Sequence, residues 1–189
     1  MNIFYLSYDP RTCAAEHCDK HVVKMIVEYA QLLSTAHRVL DGIPYTAKTP
    51  NNRNIKRWRL DKPREDILYK ACHINHPSAV WVRQSRSHYR WLFDLFQHCC
   101  VEYTRRYKNY HSTESLISYL WVAPFNIPDA GWIDPPPAMP DKYKVPGDSI
   151  QSYRNYYIGD KVAFATWKSP STPPQWFTEK HADLQIQRQ

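Results

Sequence analysis

A chain of 189 residues, 43% hydrophobic and 23% charged, is long enough for one domain and apolar enough for a sizeable core. With 4 glycines and neither a GxGxxG nor a GxxxxGK[ST] segment it excludes the glycine-rich phosphate loops, and 5 cysteines without a CxxC pair exclude a simple disulfide framework. A net charge of +7 beside 14 Tyr and 7 Trp suits a polyanion whose bases can stack, a nucleic acid or nucleotide, and no apolar run approaches the roughly 20 residues of a membrane span.

The pattern of elements predicts a mainly α, compact single domain over 1–189, with a minor N-terminal β element and a long Pro-rich loop. Asn2 to Ser7 (NIFYLS) is rich in strand formers. Asp9-Pro10 opens a short helix to about His17, and Asp19 is placed to cap a long one ending near Asp41, with Gly42 just beyond. Ile43 to Arg64 reads as an irregular loop, with six cations between Arg53 and Arg64: Arg53, Lys56, Arg57, Arg59, Lys62 and Arg64. A short helix follows to about Cys72. His76-Pro77-Ser78 then announces a second long helix, roughly Ala79 to Lys108, and Ser112 or Thr113 caps a shorter one through about Trp121. Ala123 to Pro146 holds seven prolines and is expected to drape over the domain, burying Phe125, Trp132 and Ile133. Asp148 caps a helix to Ile158, Gly159 breaks it, and Asp160 starts another through Trp167. Residues 169–189 read as a partly extended tail. With no leader-like segment before the first strand former, the setting expected is cytoplasmic, with free thiols.

On a 3.6-residue period Val22, Ile26, Tyr29, Leu33, Ala36 and Leu40 form the buried stripe of the first long helix, widened by Met25, Leu32 and Val39. The opposite face reads His21, Lys24, Glu28, Gln31, Thr35, Arg38. The plain account is a solvated face with a Lys24–Glu28 surface pair. The chemical account is a cleft in which Glu28 is a general acid/base or steadies a developing cation, Lys20 or Lys24 binds phosphate or attacks as an amine, Asp19 adds a second carboxylate and His21 relays protons. His17 and His21 stand four apart, and Cys13, Cys18 and His98-Cys99-Cys100 add thiols, but the spacing matches no zinc pattern. No metal or cofactor is expected.

In the second long helix Val82, Tyr89, Phe93, Phe96, Cys100, Tyr103 and Tyr107 make an apolar stripe that Arg86 interrupts; Arg86 is expected to meet a buried carboxylate, with Glu28 a candidate, to stack on a ring, or to point into a site. Arg83 and Arg90 lie on the polar face. Further along, Lys142, Lys144, Arg154, Lys161 and Lys168 alternate with Tyr143, Tyr153, Tyr156, Tyr157 and Trp167, a mixture that suits phosphates and bases. Tyr153, Tyr157 and Phe164 are assigned to the buried side. Arg57, Arg59, Arg83, Arg86, Arg90, Lys142, Lys144, Arg154 and Lys161 are therefore the candidate nucleic-acid contacts.

The segments DPxxxAxxHCDKHVVKMIxExAQLLSTAH, HPSAVWxRxSxxxYxWL, EYTxRY and MPDxYKVPGDxxxSYRNYYxGDK, spread from about Asn2 to Phe177, resemble a family of tailed-phage proteins, some of whose members are labelled pyrimidine dimer DNA glycosylase of the phage endonuclease V type. The resemblance implies a small, basic, mostly helical, metal-free DNA repair enzyme of a phage-infected cell's cytoplasm. Such an enzyme is a hydrolase or lyase that cuts a glycosidic bond with an N-terminal amine, using a helix glutamate as its key carboxylate. Carried onto this chain, the glutamate is Glu28. Asn2 disfavours removal of Met1, so the amine is that of Met1, or else Lys20 or Lys24 serves. Two rivals stand beside a DNA glycosylase: a phage transferase acting on bases or free nucleotides, which needs a closed, nucleotide-sized pocket, and a non-enzymatic nucleic-acid binder or anti-defence protein.

Overall fold

The computed structural model describes residues 1–186, with side chains through Lys180. It is mainly α with a minor β element. In chain order come α1 (Pro10–Glu16), α2 (Asp19–Asp41), β1 (Ile43–Lys48), β2 (Asn54–Arg59), α3 (Arg64–Ile67), α4 (Pro77–Gln84), α5 (Arg86–Tyr107), α6 (Ile117–Leu120), α7 (Ser149–Tyr156) and α8 (Gln175–Ile186). The core is an α2–α5 pair, with α1 packed on α5 and α4 filling the angle between α2 and α5. The apolar stripe of α2 is buried as its period requires, from Val22 to Ala36, with Val39 and Leu40 at its edge.

The β element is not where the sequence placed it. Ile3, Phe4, Tyr5 and Leu6 are buried but form no strand; Leu6 N donates to Phe4 O at 3.1 Å, and the segment is enclosed by side chains rather than by a neighbouring strand. Cys13 Sγ donates to Phe4 O at 3.2 Å and Tyr5 Oη to Asp134 Oδ1 at 3.0 Å. The sheet is instead an antiparallel hairpin of β1 and β2, running from Ile43↔Arg59 to Lys48↔Asn54, inside the stretch expected to be irregular. Both strands are mostly exposed, so no core stripe of period 2 betrayed them.

Helix boundaries follow local chemistry. Asp9 caps α1 by accepting from Thr12 N at 2.8 Å, with Pro10 in the first turn. The cap of α2 is Cys18 rather than Asp19, whose own N–H donates to Thr166 O at 2.8 Å. The second long helix is divided: Ser85 is fully extended (φ −153°, ψ 147°), ending α4 and starting α5, and Arg86 N donates to Pro128 O instead of continuing α4. The break carries Arg86 out of the aromatic stripe into solvent. After α7 the chain widens into a π turn over Tyr157–Lys161, not a second α-helix begun by Asp160. A turn closed by Ser171 N donating to Lys168 O at 3.0 Å precedes an irregular stretch to 174, and α8 follows, where a longer extended tail was expected; 187–189 lie outside the described residues.

The Pro-rich loop does drape over the domain. Trp132 packs edge-on to Trp81 and against Trp91, while Ile133 N donates to His88 Nε2 at 3.0 Å. Phe125, however, is 88% exposed and Ile133 57%. Backbone bonds, not their side chains, tie these residues down: Phe125 N and Asn126 N donate to the Asp41 carboxylate at 2.9 and 3.0 Å.

Candidate functional site

Lys20, Lys24 and Glu28 follow one another at four-residue steps on α2 and share a stripe, with His21 at its edge. These four line a hollow of about 300 Å³ together with Met1, Asn2, Phe4, Met25, Tyr156, Lys161 and Phe164. The N-terminal segment and the end of α7 thus supply the far wall that the sequence left open. That volume lies at the lower end for small-ligand sites and takes one base-sized group.

Glu28 is the charged centre. Its Oε1 is 3.2 Å from Lys24 Nζ and its Oε2 is 3.8 Å from the Met1 amine. The Glu28 side chain is 16% exposed and that of Met1 6%, while Lys24 is 71% exposed and stands at the mouth. Cations rest over rings around the rim: Lys20 Nζ is 4.7 Å from the Phe164 centroid and Lys161 Nζ 4.3 Å from that of Tyr156. Lys161 is also held by Asp160 at 2.9 Å. Three lysines and an amine thus line the hollow with one carboxylate, a surplus of positive charge among the lining residues that suits a phosphate-bearing ligand.

His21 is not the proton relay that its residue type suggested. Burial, reinforced by the nearby charges of His17, Lys161 and Lys24, pushes its pKa down to about 2, so the imidazole stays neutral across the physiological range. Phe4 stacks on the ring at 4.1 Å between centroids, and a short hydrogen bond joins Nδ1 to the Tyr157 hydroxyl. The ring is therefore fixed, and Nε2 remains for a ligand.

Asp19 is likewise not in the hollow. Its carboxylate accepts from Arg106 Nη1 at 3.1 Å, Thr166 Oγ1 at 3.0 Å and Lys168 N at 3.0 Å, a knot that locks the start of α2 to α5 and to the stretch before the tail. His17 is saturated as well, with Nδ1 2.6 Å from Cys13 O and Nε2 2.7 Å from Tyr29 Oη. It belongs to the end of α1, so the continuous helix needed for a His17–His21 ion site does not exist.

The candidate nucleic-acid contacts divide. Arg57 donates to Ala71 O at 3.1 Å and Arg59 lies over Tyr45, both on β2. Lys142 sits over Tyr143, Lys144 pairs with Asp141, and Arg90 pairs with Asp94 and covers Trp121. Arg83 is half-buried and donates to Ile74 O at 2.8 Å, and Arg154 donates to Leu6 O at 2.9 Å while lying over Trp176; both are structural rather than exposed contacts. Arg86 is exposed and does not meet Glu28.

Four lining residues were missed in the sequence: Asn2, Phe4, Met25 and Phe164, the last assigned only to the buried side, whereas Tyr156 was named among the rings that suit bases. Tyr156 carried a readable signal, since it stands one position off the buried Tyr153–Tyr157 stripe. Phe4 carried none beyond its apolar surroundings. No helix among the described residues is long and apolar enough to cross a membrane. Comparison with family models, with curated proteins and with solved structures finds no match for this chain.

Proposed function

We propose that the protein is a DNA glycosylase that removes a damaged or modified base, with the chemistry carried by Glu28 and an amine in the hollow. The observation that supports this reading is the approach of the Met1 amine and Lys24 Nζ to opposite oxygens of one half-buried carboxylate, in a base-sized hollow walled by Phe4, Tyr156 and Phe164. A base extruded from a duplex needs a ring-lined pocket and cations for its flanking phosphates. The amine of Met1 or Lys24 attacks the sugar C1′, the C1′–N bond breaks, and the base leaves with its electron pair and takes up a proton. The nitrogen, having lost its own proton, is left bonded to C1′, and ring opening gives a protonated Schiff base. Glu28 accepts the amine's proton and offsets the positive charge that develops at the sugar.

Glu28→Gln keeps the shape of the side chain and removes its charge. Turnover on a damaged duplex should fall by about 10³-fold or more while duplex affinity stays within a few-fold. A Glu28→Gln protein as active as the parent refutes the role. Borohydride should trap a covalent DNA adduct, and peptide mass mapping should locate it on Met1 or Lys24; no adduct on any substrate refutes the amine. The cations lining the hollow also suit the phosphate of a free nucleotide, so a nucleotide-modifying transferase is the second reading. Parallel incubations with damaged, modified and plain oligonucleotides and with free nucleotides separate the two.

A further inference from the structure

The stretch 43–59 carries Lys48, Arg53, Lys56, Arg57 and Arg59 and not one carboxylate. None of the five makes an ion pair among the described residues, although the neighbouring Lys62 and Arg64 do. The stretch is the β1–β2 hairpin, rooted by the buried Trp58 and Leu60 and by Arg38 Nη1, which donates to Trp58 O at 2.9 Å. Beyond that root its outer part stands in solvent. A lone two-stranded ribbon is marginal in water, so an exposed one with this charge needs a reason to be kept.

The strand alternation places the cations on both sides of the ribbon. With Thr46 opposite Lys56 and Tyr45 opposite Arg57, Lys48 and Lys56 point to one face, Arg57 and Arg59 to the other, and Arg53 lies at the turn. A ribbon lying flat on one phosphate row needs cations on one face only. Cations on both faces suit a ribbon standing between two phosphate rows. The hairpin is also beside the hollow: Arg57 donates to Ala71 O, Cys72 N donates to Thr35 Oγ1 at 3.3 Å, and Cys72 Sγ lies 3.8 Å from Met1 Sδ.

We propose that the β1–β2 hairpin is a basic arm that enters the major groove of duplex DNA next to the hollow, setting Lys48, Arg53, Lys56 and Arg59 against the phosphates on either side. The choice of DNA rests on the function proposed above. A six-residue ribbon is about 20 Å long, and the major groove of B-DNA, about 12 Å wide, admits a two-stranded ribbon. The deep, narrow major groove of duplex RNA does not.

The test uses the full chain and the variant Lys48→Gln/Arg53→Gln/Lys56→Gln/Arg59→Gln, all four positions being exposed; Arg57 and Trp58 are left alone because they anchor the root. Far-UV circular dichroism and the thermal midpoint confirm that the variant folds. Binding of an undamaged 20-base-pair duplex is measured between about 50 and 200 mM salt. The slope of log K against log salt should be shallower in the variant by about 3 to 4, at roughly 0.9 per lost phosphate contact, and affinity at 100 mM salt should fall at least tenfold. Guanine N7, which faces the major groove, should be protected from dimethyl sulfate by the parent and not by the variant. Equal slopes and affinities, unprotected N7, or parent binding of duplex RNA as tight as of DNA overturns the arm. A parent that binds duplex DNA through the arm yet releases no base overturns the glycosylase reading alone. A quadruple variant with unchanged kcat/KM on damaged duplex overturns the arm alone.

Discussion

Replacing Arg106 by Leu is the sharpest test of how the candidate site is held. The side chain is fully buried, and its guanidinium donates to Glu102 Oε2 (3.1 Å from Nε), His17 O (2.8 Å), Asp19 Oδ1 (3.1 Å) and Ala15 O (2.9 Å). It therefore ties the end of α1, the start of α2 and the last turns of α5 into one joint, one turn before Lys20 and His21. After the substitution Glu102 keeps Arg105 and Ser171, and Asp19 keeps Thr166 and Lys168, so the carboxylates are not stranded. The carbonyls of Ala15 and His17 lose their Arg106 donors, at about 1–3 kcal/mol each for a buried acceptor left unpaired. The two unpaired carbonyls together put the expected destabilisation at about 3–5 kcal/mol. At about 2–4 °C per kcal/mol for a chain of this size, the thermal midpoint should drop by roughly 6–20 °C. Arg105→Leu is the control: that side chain is 41% exposed, and its loss should cost under about 1 kcal/mol. Urea unfolding read by tryptophan fluorescence measures both. An Arg106→Leu protein within 1 kcal/mol of the parent would show that the joint is not what holds α1, α2 and α5 together.

Two further outcomes follow from burial. The histidines His17 and His37 are pushed down to about 4 and His21 to about 2, in each case first by burial. Below about pH 6.5 the unfolded chain then binds more protons than the folded one, so stability should fall as pH drops from about 6.5 towards 4, by up to about 1.4 kcal/mol per pH unit for each histidine; a flat urea midpoint across that window would contradict the assignment. Gly42 ends α2 with φ −84°, so its missing side chain is a matter of room, not of backbone conformation. A Cβ there would collide with the Arg38 carbonyl and lie 2.9 Å from Trp58 Cβ, so Gly42→Ala should cost about 1–3 kcal/mol, checked by the same unfolding assay and contradicted by an unchanged midpoint.

Much of the frame was legible because period and caps are local. The α2 stripe, the Asp9-Pro10 start, the Asp148 cap of α7 and the burial of Tyr153 and Tyr157 all follow from spacings of a few residues. What misled was long-range. NIFYLS has strand composition, yet helices enclose it and no strand lies beside it. The hairpin has too little buried face to show a period-2 pattern. Ser85 breaks the second helix because the Pro128 carbonyl, more than forty residues on, takes the Arg86 N–H. Of the α2 candidates Lys20, Lys24 and Glu28 fall together because helical spacing alone aligns them. Asp19 falls outside because its partners come from residues 106, 166 and 168.

The polar face of α2 itself has two fates, and the division accounts for where a site can be. Towards its C-terminal end Thr35 and Arg38 are buried, not solvated. Thr35 Oγ1 receives Cys72 N–H, and Arg38 donates to Tyr69 O, Trp58 O, Glu65 Oε2, Glu65 O and Leu68 O, which exhausts its five donors. That half is closed by the chain segment 58–72 and has no capacity left for a ligand. Towards the N-terminal end the covering elements bring mainly rings and cations to the hollow: Lys20 lies over Phe164, Lys24 shares Glu28 with the Met1 amine, and Asp160 holds Lys161 from outside the lining, so Glu28 is the one carboxylate among the residues lining the hollow. An arrangement that served stability alone would have satisfied these groups as completely as Arg38 is satisfied. The shortage of acceptors in one half, beside their full supply in the other half of the same helix face, supports the proposal that places ligand chemistry at Glu28.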